Sequence, residues 1–415
     1  MPAETPLRIA FLTYRGNPYS GGQGVYARHL TRALADLGHH VVVFSGQPYP
    51  DLDARVPLVR LPSFDLYNPA HPFRPARPIE IGSLGDWAEL LTFATLAFPE
   101  PFAFSVRVAR ILRRCPTDFD VVHDNQSLGY GLLAIQRAGL PVLATVHHPI
   151  AVDLRLELAR ATTGRRRWLW RRWYAFVGMQ RRVAPRLRRI ITDSGSSADD
   201  VRADLGVPAE RLHVVPVGVD PTAFAPRPGT APVPGRIVTT ASADSAMKGL
   251  PDLLDALARL RVTREAHLVV VGAMKADGPT ARKIRNLGLG DAVRFISGVT
   301  EDRLVEIYNE AAVVAVPSLY EGFSLPAIEA QACGRPVVAT TGGALPEVVG
   351  PDGETALLVP PGDAEALAAA LLRMLGDEAL GARIGAAGRA RVVTKWTWRH
   401  TAERTVEHYR AVQRG

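Results

Sequence analysis

Short apolar runs alternate with amphipathic stretches along most of the chain. Residues 8–14 (RIAFLTY) predict a buried strand, and residues 40–46 (HVVVFSG) predict the next one. Between them, residues 21–38 carry apolar side chains at helical spacing and end on a glycine, a common helix terminator. Further strands with polar residues at their ends are predicted at 120–126, 141–148 and 189–195. This order is typical of a parallel sheet with helical crossovers.

A second series of the same kind begins near residue 234. Its strands are predicted at 235–243, 266–273, 292–299, 311–318 and 335–343, with helices at 249–260 and 301–310. Segment 214–235 is rich in proline and glycine and lacks periodicity, so it is predicted to be the linker between two domains. We therefore predict an α/β protein with two doubly wound, Rossmann-like parallel-sheet domains that face each other across a cleft.

The composition is that of a folded protein, and the net charge indicates the class of partner. The chain has 415 residues, 47% of them hydrophobic, which is enough for two cores. Its net charge of +8 indicates an anionic partner such as a nucleotide or a phospholipid surface. Cys115 and Cys333 are far apart and match no metal-ligand spacing, and the start lacks the pattern of a signal peptide. The longest apolar run, 90–98, has about half of the ~20 residues that span a bilayer. We expect a cytoplasmic protein without a transmembrane helix.

Two predicted junctions between a strand and a helix carry residues suited to binding phosphate. Gly21, Gly22 and Gly24 follow the first strand, where glycines allow close backbone approach and helix-start N–H groups favour an anion. Lys248 and Gly249 precede the first helix of the second domain, where the lysine would act as a point charge. The alternatives are a tight turn without a ligand and a solvated lysine. Neither a GxGxxG nor a P-loop motif is present, which argues against a dinucleotide or a P-loop site.

Segment 321–329 (EGFSLPAIE) places a carboxylate at each end of a turn that leads into a helix. The turn at 322–324 follows a predicted strand, so its N–H groups would begin the helix. Glu321 lies in the loop, and Glu329 lies at least one helical turn further along. Carboxylates accept hydrogen bonds from sugar hydroxyls, and amides donate them to phosphate oxygens. The segment therefore predicts a site for a phosphorylated polyol.

This segment resembles the E-x7-E signature of the family 4 retaining glycosyltransferases, which have the GT-B fold. Six further segments resemble the family in the same order: GGQGVY, ATVHH, VVPVGVDPTAF, MKGLPDLLDAL, ETALLVPPGDAEALAAAL and WTWRHTAERTVEHY. The resemblance implies three parts. They are an N-terminal acceptor-side domain over 1–216, a C-terminal nucleotide-sugar-binding domain over 217–392, and a terminal helix over 393–415 that returns to the first domain.

The resemblance also implies a role for each matched residue. Glu329 would bind the ribose of the nucleotide, and Glu321 would bind hydroxyls of the donor sugar. Lys248 would face the diphosphate. His147 would stand over the donor sugar, with its carbonyl or imidazole towards the developing oxocarbenium. A strand-end histidine satisfied by the backbone is the alternative for His147, and His148 is an equally plausible structural residue. The full implied donor site consists of Gly22, Lys248, Gly298, Val299, Thr300, Glu321, Gly322, Phe323, Ser324, Leu325 and Glu329.

The implied reaction moves a glycosyl group from a UDP- or GDP-linked sugar to an acceptor hydroxyl, with retained configuration. The resemblance implies no cofactor and no required metal. No dedicated general base is apparent, which is consistent with front-face transfer in which the leaving phosphate accepts the proton of the acceptor. One departure concerns the arginine that relatives carry five or six positions before the lysine, because Ser242 and Ala243 stand there. A nicotinamide-dependent oxidoreductase would need the missing GxGxxG motif. A non-enzymatic two-domain sugar-binding protein would normally carry an export signal.

Segment 165–189 contains ten arginines and no acidic residue. As one continuous helix it would place Leu169, Trp173, Phe176, Val177, Val183 and Leu187 on one face and several arginines opposite. An amphipathic basic helix is suited to an anionic membrane surface. We hypothesise a peripheral contact with the inner membrane face; the alternative is that the apolar face packs on the first domain. No nucleic-acid partner is expected.

Overall fold

The structure is a computed structural model that describes residues 5–17, 22–64, 81–82, 84–241 and 246–414. Its residues form two compact units. Unit 1 comprises Met1–Asp193, Ser197–Val215 and Thr401–Gly415, and unit 2 comprises Ser194–Ser196 and Pro216–His400. Each unit has its own sheet and its own apolar core.

Unit 1 is built on a parallel sheet of seven strands in the order β3-β2-β1-β4-β5-β6-β7. The strands are β1 Arg8–Thr13, β2 His40–Ser45, β3 Leu58–Arg60, β4 Val121–Asn125, β5 Val142–Val146, β6 Arg189–Thr192 and β7 Leu212–Val214. The central strands β4 and β5 are buried at every residue. A parallel sheet covered by helices on both faces requires such continuous burial, which explains the unbroken apolar runs in the sequence.

The helices of unit 1 cover this sheet. They are α1 Gln23–Asp36, α2 Leu84–Ala94, α3 Glu100–Leu112, α4 Tyr130–Arg137, α5 Ile150–Arg160, α6 Gly164–Trp173, α7 Phe176–Val183 and α8 Gly195–Leu205. The last helix, α16 Trp398–Arg414, brings the chain back to unit 1 at Thr401. From the sequence, the boundary between the two domains was predicted at 216/217 and the start of the terminal segment at residue 393.

Unit 2 has a parallel sheet of six strands in the order β10-β9-β8-β11-β12-β13. The strands are β8 Arg236–Thr240, β9 His267–Val271, β10 Val293–Ile296, β11 Val313–Val316, β12 Val337–Thr340 and β13 Leu357–Val359. The helices are α9 Leu250–Leu260, α10 Pro279–Asn286, α11 Glu301–Asn309, α12 Leu325–Ala332, α13 Leu345–Val349, α14 Ala364–Gly376 and α15 Glu378–Lys395. Helix α9 buries Leu250, Leu253, Leu254 and Leu257 in the core of this unit.

Every strand predicted from the sequence is present, with ends that are at most three residues shorter on either side. The strands that the sequence analysis missed are β3, β7 and β13. Each has three residues, which is too short for a periodic pattern to be seen. All three lie at sheet edges, where they extend a sheet that the longer strands define.

The prediction of one continuous helix over 165–189 is wrong. The chain tightens after α6, where the Ala175 N–H donates to the Arg172 carbonyl, and a separate helix α7 follows. Pro185 then stands in a short 3-10 helix that ends the helical region before β6. The apolar residues of the second half, Phe176, Val177, Val183 and Leu187, are buried in the core of unit 1, whereas α6 buries none of its residues. The apolar residues of the second half of the segment therefore belong to the core, whereas α6 lies on the surface.

Among the helices of the described residues, none combines the length and the apolar character needed to cross a membrane.

Candidate functional site

Two loops of unit 2 meet at the carboxyl ends of β8 and β11 and bring Lys248 to Glu321. The Leu319 N–H donates to the Met247 carbonyl at 2.8 Å, which joins the loops. Lys248 Nζ lies 2.7 Å from Glu321 Oε1, and the Ser318 hydroxyl donates to the same oxygen at 2.7 Å. Glu321 Oε2 has no hydrogen-bond partner among the described residues, so it can accept from a ligand.

Gly249 fixes the position of Lys248. Its φ of +61° lies in the left-handed region that side chains disfavour. A Cβ on this residue would lie 1.8 Å from the carbonyl oxygen of Pro317, so the two backbones approach as closely as only glycine permits. The glycine next to the lysine is therefore a structural requirement of this junction.

The N-terminus of α12 is strained and carries an unused hydroxyl. Ser324 precedes the helix with a φ of +98°, which is uncommon for a residue other than glycine. Its Oγ is buried and has no hydrogen-bond partner in the described part of the chain. Phe323 is buried beside it, edge-on to the ring of Trp396 at 5.9 Å. Strained backbone together with an unpaired buried hydroxyl is typical of a binding site, and a helix start is suited to an anion.

Glu329 lies in the middle of α12 and is half-buried. Its Oε2 accepts a hydrogen bond of 3.0 Å from the Tyr308 hydroxyl, which also lies 3.1 Å from the Thr240 Oγ1. Burial raises the pKa of Glu329 to about 7. Its Oε1 has no hydrogen-bond partner within the described residues. The carboxyl can therefore exchange a proton near neutral pH and accept a further hydrogen bond.

Residues 298–300 form the turn between β10 and α11. Gly298 has a φ of +67° and is exposed, and Val299 is half-buried. The Thr300 Oγ1 accepts from the Arg303 N–H at 3.3 Å and caps α11. The turn therefore presents backbone to solvent at the carboxyl end of β10, in the same unit as Lys248 and Glu329.

In unit 1, the side chain of His147 is held on both sides. Its Nδ1 lies 2.8 Å from Asp193 Oδ2, and its Nε2 lies 2.8 Å from Asn125 Oδ1. Its backbone N–H donates to Gln126 Oε1 at 2.8 Å, and the ring of Tyr26 packs edge-on at 4.4 Å. The imidazole is thus fixed by side chains from two strand ends and a helix rather than by backbone groups. Both ring nitrogens face oxygen acceptors.

Asn125 connects this histidine to the glycine loop. Its Nδ2 donates to the Gln23 carbonyl at 3.1 Å, at the first residue of α1. Gly22 precedes α1 with a φ of +49°, and a Cβ on Gly24 would lie 2.0 Å from the Asn17 carbonyl oxygen. The loop is therefore packed directly against the chain that leaves β1. Gly21 lies outside the described residues.

His148 is placed differently from its neighbour. Its Nε2 lies 3.3 Å from Asp153 Oδ1, on a side of the chain where both side chains are partly exposed.

The structure adds residues that the sequence analysis did not single out. His147 is surrounded by Asn125, Gln126 and Asp193. All three lie at the polar ends of predicted strands, so the sequence pattern could have indicated them. Tyr26 and Tyr308 lie within helices, and their sequence positions carry no such signal. The unusual backbone of Gln126, with a φ of +61°, is visible only in the structure.

Within the described ranges, no group of three or more His, Cys, Asp and Glu side chains is arranged to hold a metal ion. Ser242 and Ala243, which replace the arginine expected from the resemblance, lie outside the described residues.

Two protein families match the chain. Residues 20–223 match the family described as Glycosyltransferase Family 4, and residues 234–377 match the family described as Glycosyl transferases group 1. The first match extends past the predicted domain boundary at 216/217, and the second lies within the predicted second domain.

Characterised relatives align along nearly the whole chain. The MMP alpha-(1->4)-mannosyltransferase of Mycolicibacterium hassiacum is 52% identical over 97% of this chain and 98% of its own length. The D-inositol 3-phosphate glycosyltransferase of Stackebrandtia nassauensis is 30% identical over 99% of this chain and 93% of its own length.

Solved structures agree on the architecture. The sucrose-phosphate synthase of Thermosynechococcus elongatus matches with a TM-score of 0.73 and 25% identity, over 98% of this chain and 99% of that one. HepE of Anabaena, solved in complex with UDP and glucose, matches with a TM-score of 0.71 over 97% of this chain and 99% of its own. Its identity is 19%, so this second similarity concerns the fold alone.

Proposed function

Because the chain belongs to the family 4 glycosyltransferases, we propose that it transfers a mannosyl group from a nucleoside diphosphate mannose to a carbohydrate hydroxyl, with retained configuration. The observation that carries this proposal is the group formed by Lys248, Glu321 and the strained start of α12 at Ser324. The choice of mannose and of an α-(1→4) linkage follows the 52% identical relative, which aligns over nearly all of both chains.

The donor is assigned to unit 2. The base of the nucleotide would lie against Gly298 and Val299, and ribose hydroxyls would donate to the open Oε1 of Glu329. The diphosphate would lie at the start of α12, where the N–H of Leu325 and the unpaired hydroxyl of Ser324 can donate to it. Pro326 has no N–H to offer but suits the first helical turn.

Lys248 and Glu321 would contact different parts of the donor: Lys248 the leaving phosphate and Glu321 the sugar. The Lys248 ammonium stabilises negative charge that develops on the leaving phosphate, since it lies beside the same helix start. Glu321 accepts hydroxyl hydrogen bonds from the sugar through its open Oε2, while Ser318 holds the other oxygen. The ion pair between them keeps both side chains at the junction.

The acceptor side is assigned to unit 1. His147 would contribute there, together with the glycine loop at Gly22. The contacts of the imidazole with Asp193 and Asn125 favour a fixed ring that orients the backbone at 147. The family resemblance assigns to His147 the stabilisation of the positive charge that develops on the sugar, through its carbonyl or its imidazole.

The proposed step breaks the bond between C1 of the sugar and the phosphate oxygen. A bond from C1 to the acceptor oxygen forms on the same face, and the acceptor proton passes to the leaving phosphate. The sugar configuration at C1 is kept, so an α-linked donor yields an α-linked product. Among the residues of the proposed site, none is required as a separate base in this scheme.

The proposal includes turnover without a metal ion. We expect the initial rate to be unchanged after dialysis against EDTA, because Lys248 and the start of α12 would supply the charge stabilisation that a metal provides elsewhere. The rate is compared with a sample that is supplemented with Mg²⁺ or Mn²⁺. A rate that collapses in EDTA and returns with either ion would contradict this part of the proposal.

A donor and acceptor screen tests the proposed function. GDP-mannose, UDP-glucose and UDP-N-acetylglucosamine are each offered with an α-(1→4)-linked mannose oligosaccharide or with D-inositol 3-phosphate. We expect acceptor-dependent release of nucleoside diphosphate only with a mannose donor and the oligosaccharide, and an α-anomeric signal by NMR in the product. Product formed with inositol 3-phosphate alone would instead favour the activity named for the 30% identical relative.

A further inference from the structure

One face of the unit 2 sheet carries charged side chains where a parallel sheet is ordinarily apolar. Arg236 of β8 stands beside His267 of β9, and Arg294 of β10 stands beside Val269 of β9. Because side chains alternate along a strand, these four residues lie on the same face, whereas their sequence neighbours Ile237 and Leu268 belong to the core on the other face. Sheets of this type are usually covered by apolar contacts on both faces. The polar residues of β8–β10 therefore require a separate explanation.

These side chains surround a cavity of about 420 Å³, and α11 forms its other wall. Val269 and Ile296 contribute apolar surface from the strands, and Ile307 contributes it from the helix. Ligand cavities in proteins usually measure about 300–1,000 Å³ and combine an apolar lining with a few polar groups. The whole cavity belongs to unit 2.

The cavity lining has an excess of hydrogen-bond donors. Arg236 pairs with Glu310 and donates through Nε to His267 Nε2 at 3.2 Å. The proton of the neutral imidazole is therefore on Nδ1, which leaves His267 a donor. Arg303 is paired with two carboxylates: its Nη1 lies 2.6 Å from Glu306 Oε2 and 3.6 Å from Glu310 Oε1. Arg294 is exposed and has neither a hydrogen bond nor an ion pair in the described part of the chain.

Among the described residues, carboxylates pair with Arg236 and Arg303 but not with Arg294. The lining residue Asp291 has a side chain that is 78% exposed, and it lies 3.5 Å from Arg261, which does not line the cavity. Glu310 is shared between two arginines. The guanidinium of Arg294 is thus the charge that the described residues leave without a partner.

We propose that this cavity binds a small phosphorylated metabolite, with Arg294 on the phosphate and the apolar wall of Ile296 and Ile307 against its body. A guanidinium matches phosphate geometry through two parallel hydrogen bonds, which makes arginine the suitable residue for this ligand. The site is distinct from the proposed donor site. Arg236 and His267 begin their strands, whereas Lys248 follows the opposite, carboxyl end of β8.

Binding is tested by isothermal titration calorimetry with glucose 6-phosphate, inorganic phosphate and citrate as the probes. GDP and UDP are both present in excess, so that the donor site is occupied. We expect saturable binding of glucose 6-phosphate, weaker binding of inorganic phosphate, and none of citrate. In Arg294→Gln the affinity for glucose 6-phosphate should fall at least about tenfold, the usual effect of losing a charged hydrogen-bonding pair. Arg294→Lys, which keeps the charge, should recover part of it.

The matched control is Arg259→Gln, an exposed arginine on α9 outside the cavity. It should bind like the unchanged protein, and thermal unfolding of each variant verifies that it is folded. The proposal is overturned if the unchanged protein shows no saturable heat, if citrate binds in preference, or if Arg294→Gln binds as tightly as Arg259→Gln. Loss of binding in Lys248→Ala but not in Arg294→Gln would assign the anion to the donor site and would also overturn it. The measurement involves no turnover, so it is independent of the outcome of the transferase screen.

Discussion

Lys248 and Glu329 are the residues at which the proposed donor site is most sensitive to a single change. Replacing either one by alanine should lower kcat/KM about ten- to a hundredfold, because a lost charged hydrogen bond costs about 1.5–3 kcal/mol. Steady-state rates with the donor found in the screen provide the measurement. Lys395→Ala and Glu354→Ala, both at exposed positions, serve as controls and should keep the full rate. Either site variant working within twofold of the unchanged enzyme would remove that residue from the site.

The pKa of Glu329 gives a second prediction at the same scale. Its folded value of about 7 lies above the value of about 4.3 for an exposed glutamate, so the folded state holds a proton that the unfolded state releases. Wild-type stability should therefore fall as the pH rises through the window between these two values. Glu329→Gln removes this effect and should be more stable than wild type at pH 8 by about 1–3 kcal/mol, with little or no such gain at pH 4.

Denaturant unfolding at both pH values measures this difference. Glu354→Gln is the control, since an exposed carboxylate should show no pH-dependent gain. An equal effect of Glu329→Gln at both pH values would mean that the carboxyl titrates as an ordinary glutamate.

At the scale of elements, α6 is the part of the arginine-rich segment that remains available to a membrane. It exposes Trp168, and its Arg165, Arg166 and Arg171 have no side-chain partner among the described residues. We predict weak co-sedimentation with phosphatidylglycerol vesicles at low salt that is lost at high salt, since each surface arginine contributes on the order of 1 kcal/mol. The triple change of these arginines to glutamate should abolish it.

The comparison for this experiment is a triple change of Arg202, Arg373 and Arg404 to glutamate, which alters the net charge equally at exposed positions elsewhere. If both triple variants behave alike, the effect is one of net charge and α6 has no special role. Protein that stays in the supernatant at low salt would leave the arginines as a solvated face.

At the scale of the whole molecule, the chain ends by returning to unit 1 through α16. Tyr409 is fully buried there, and its hydroxyl lies 2.5 Å from Nδ1 of His123. The Nε2 of the same ring lies 2.6 Å from the Thr145 Oγ1, which in turn lies 3.2 Å from the hydroxyl of Tyr26. Burial lowers the pKa of His123 to about 3, so the ring is neutral and relies on these hydrogen bonds.

Tyr409→Phe should therefore lower the free energy of unfolding by about 1–3 kcal/mol, because it leaves a buried nitrogen unsatisfied. Thermal or denaturant unfolding shows the loss. Arg404→Ala, at an exposed position of the same helix, should have almost no effect. A Tyr409→Phe variant as stable as this control would show that water replaces the lost hydroxyl.

The strand-and-helix pattern could be predicted from the sequence because parallel strands buried on both faces must be apolar along their length. The glutamates at 321 and 329, Lys248 and His147 could be named because they follow strand ends or match the motifs of the family. The edge strands β3 and β13 could not, since three residues carry no period. The break between α6 and α7 was also missed, because helical spacing alone does not reveal which half of a segment enters the core.

The sequence by itself determined the two parallel sheets and the residues of the family motifs, because each depends on local spacing or on residues that are close along the chain. Only the tertiary structure decided the partners of those residues. The imidazole of His147 is fixed by Asn125 and Asp193, and the carboxyl of Glu329 is perturbed by its burial beside Tyr308. These contacts join residues 21 to 46 positions apart, and their strength depends on how much water the surrounding core excludes. The amount of water that the core excludes cannot be read from a local sequence pattern. The partners of His147 and Glu329 were therefore found only in the tertiary structure.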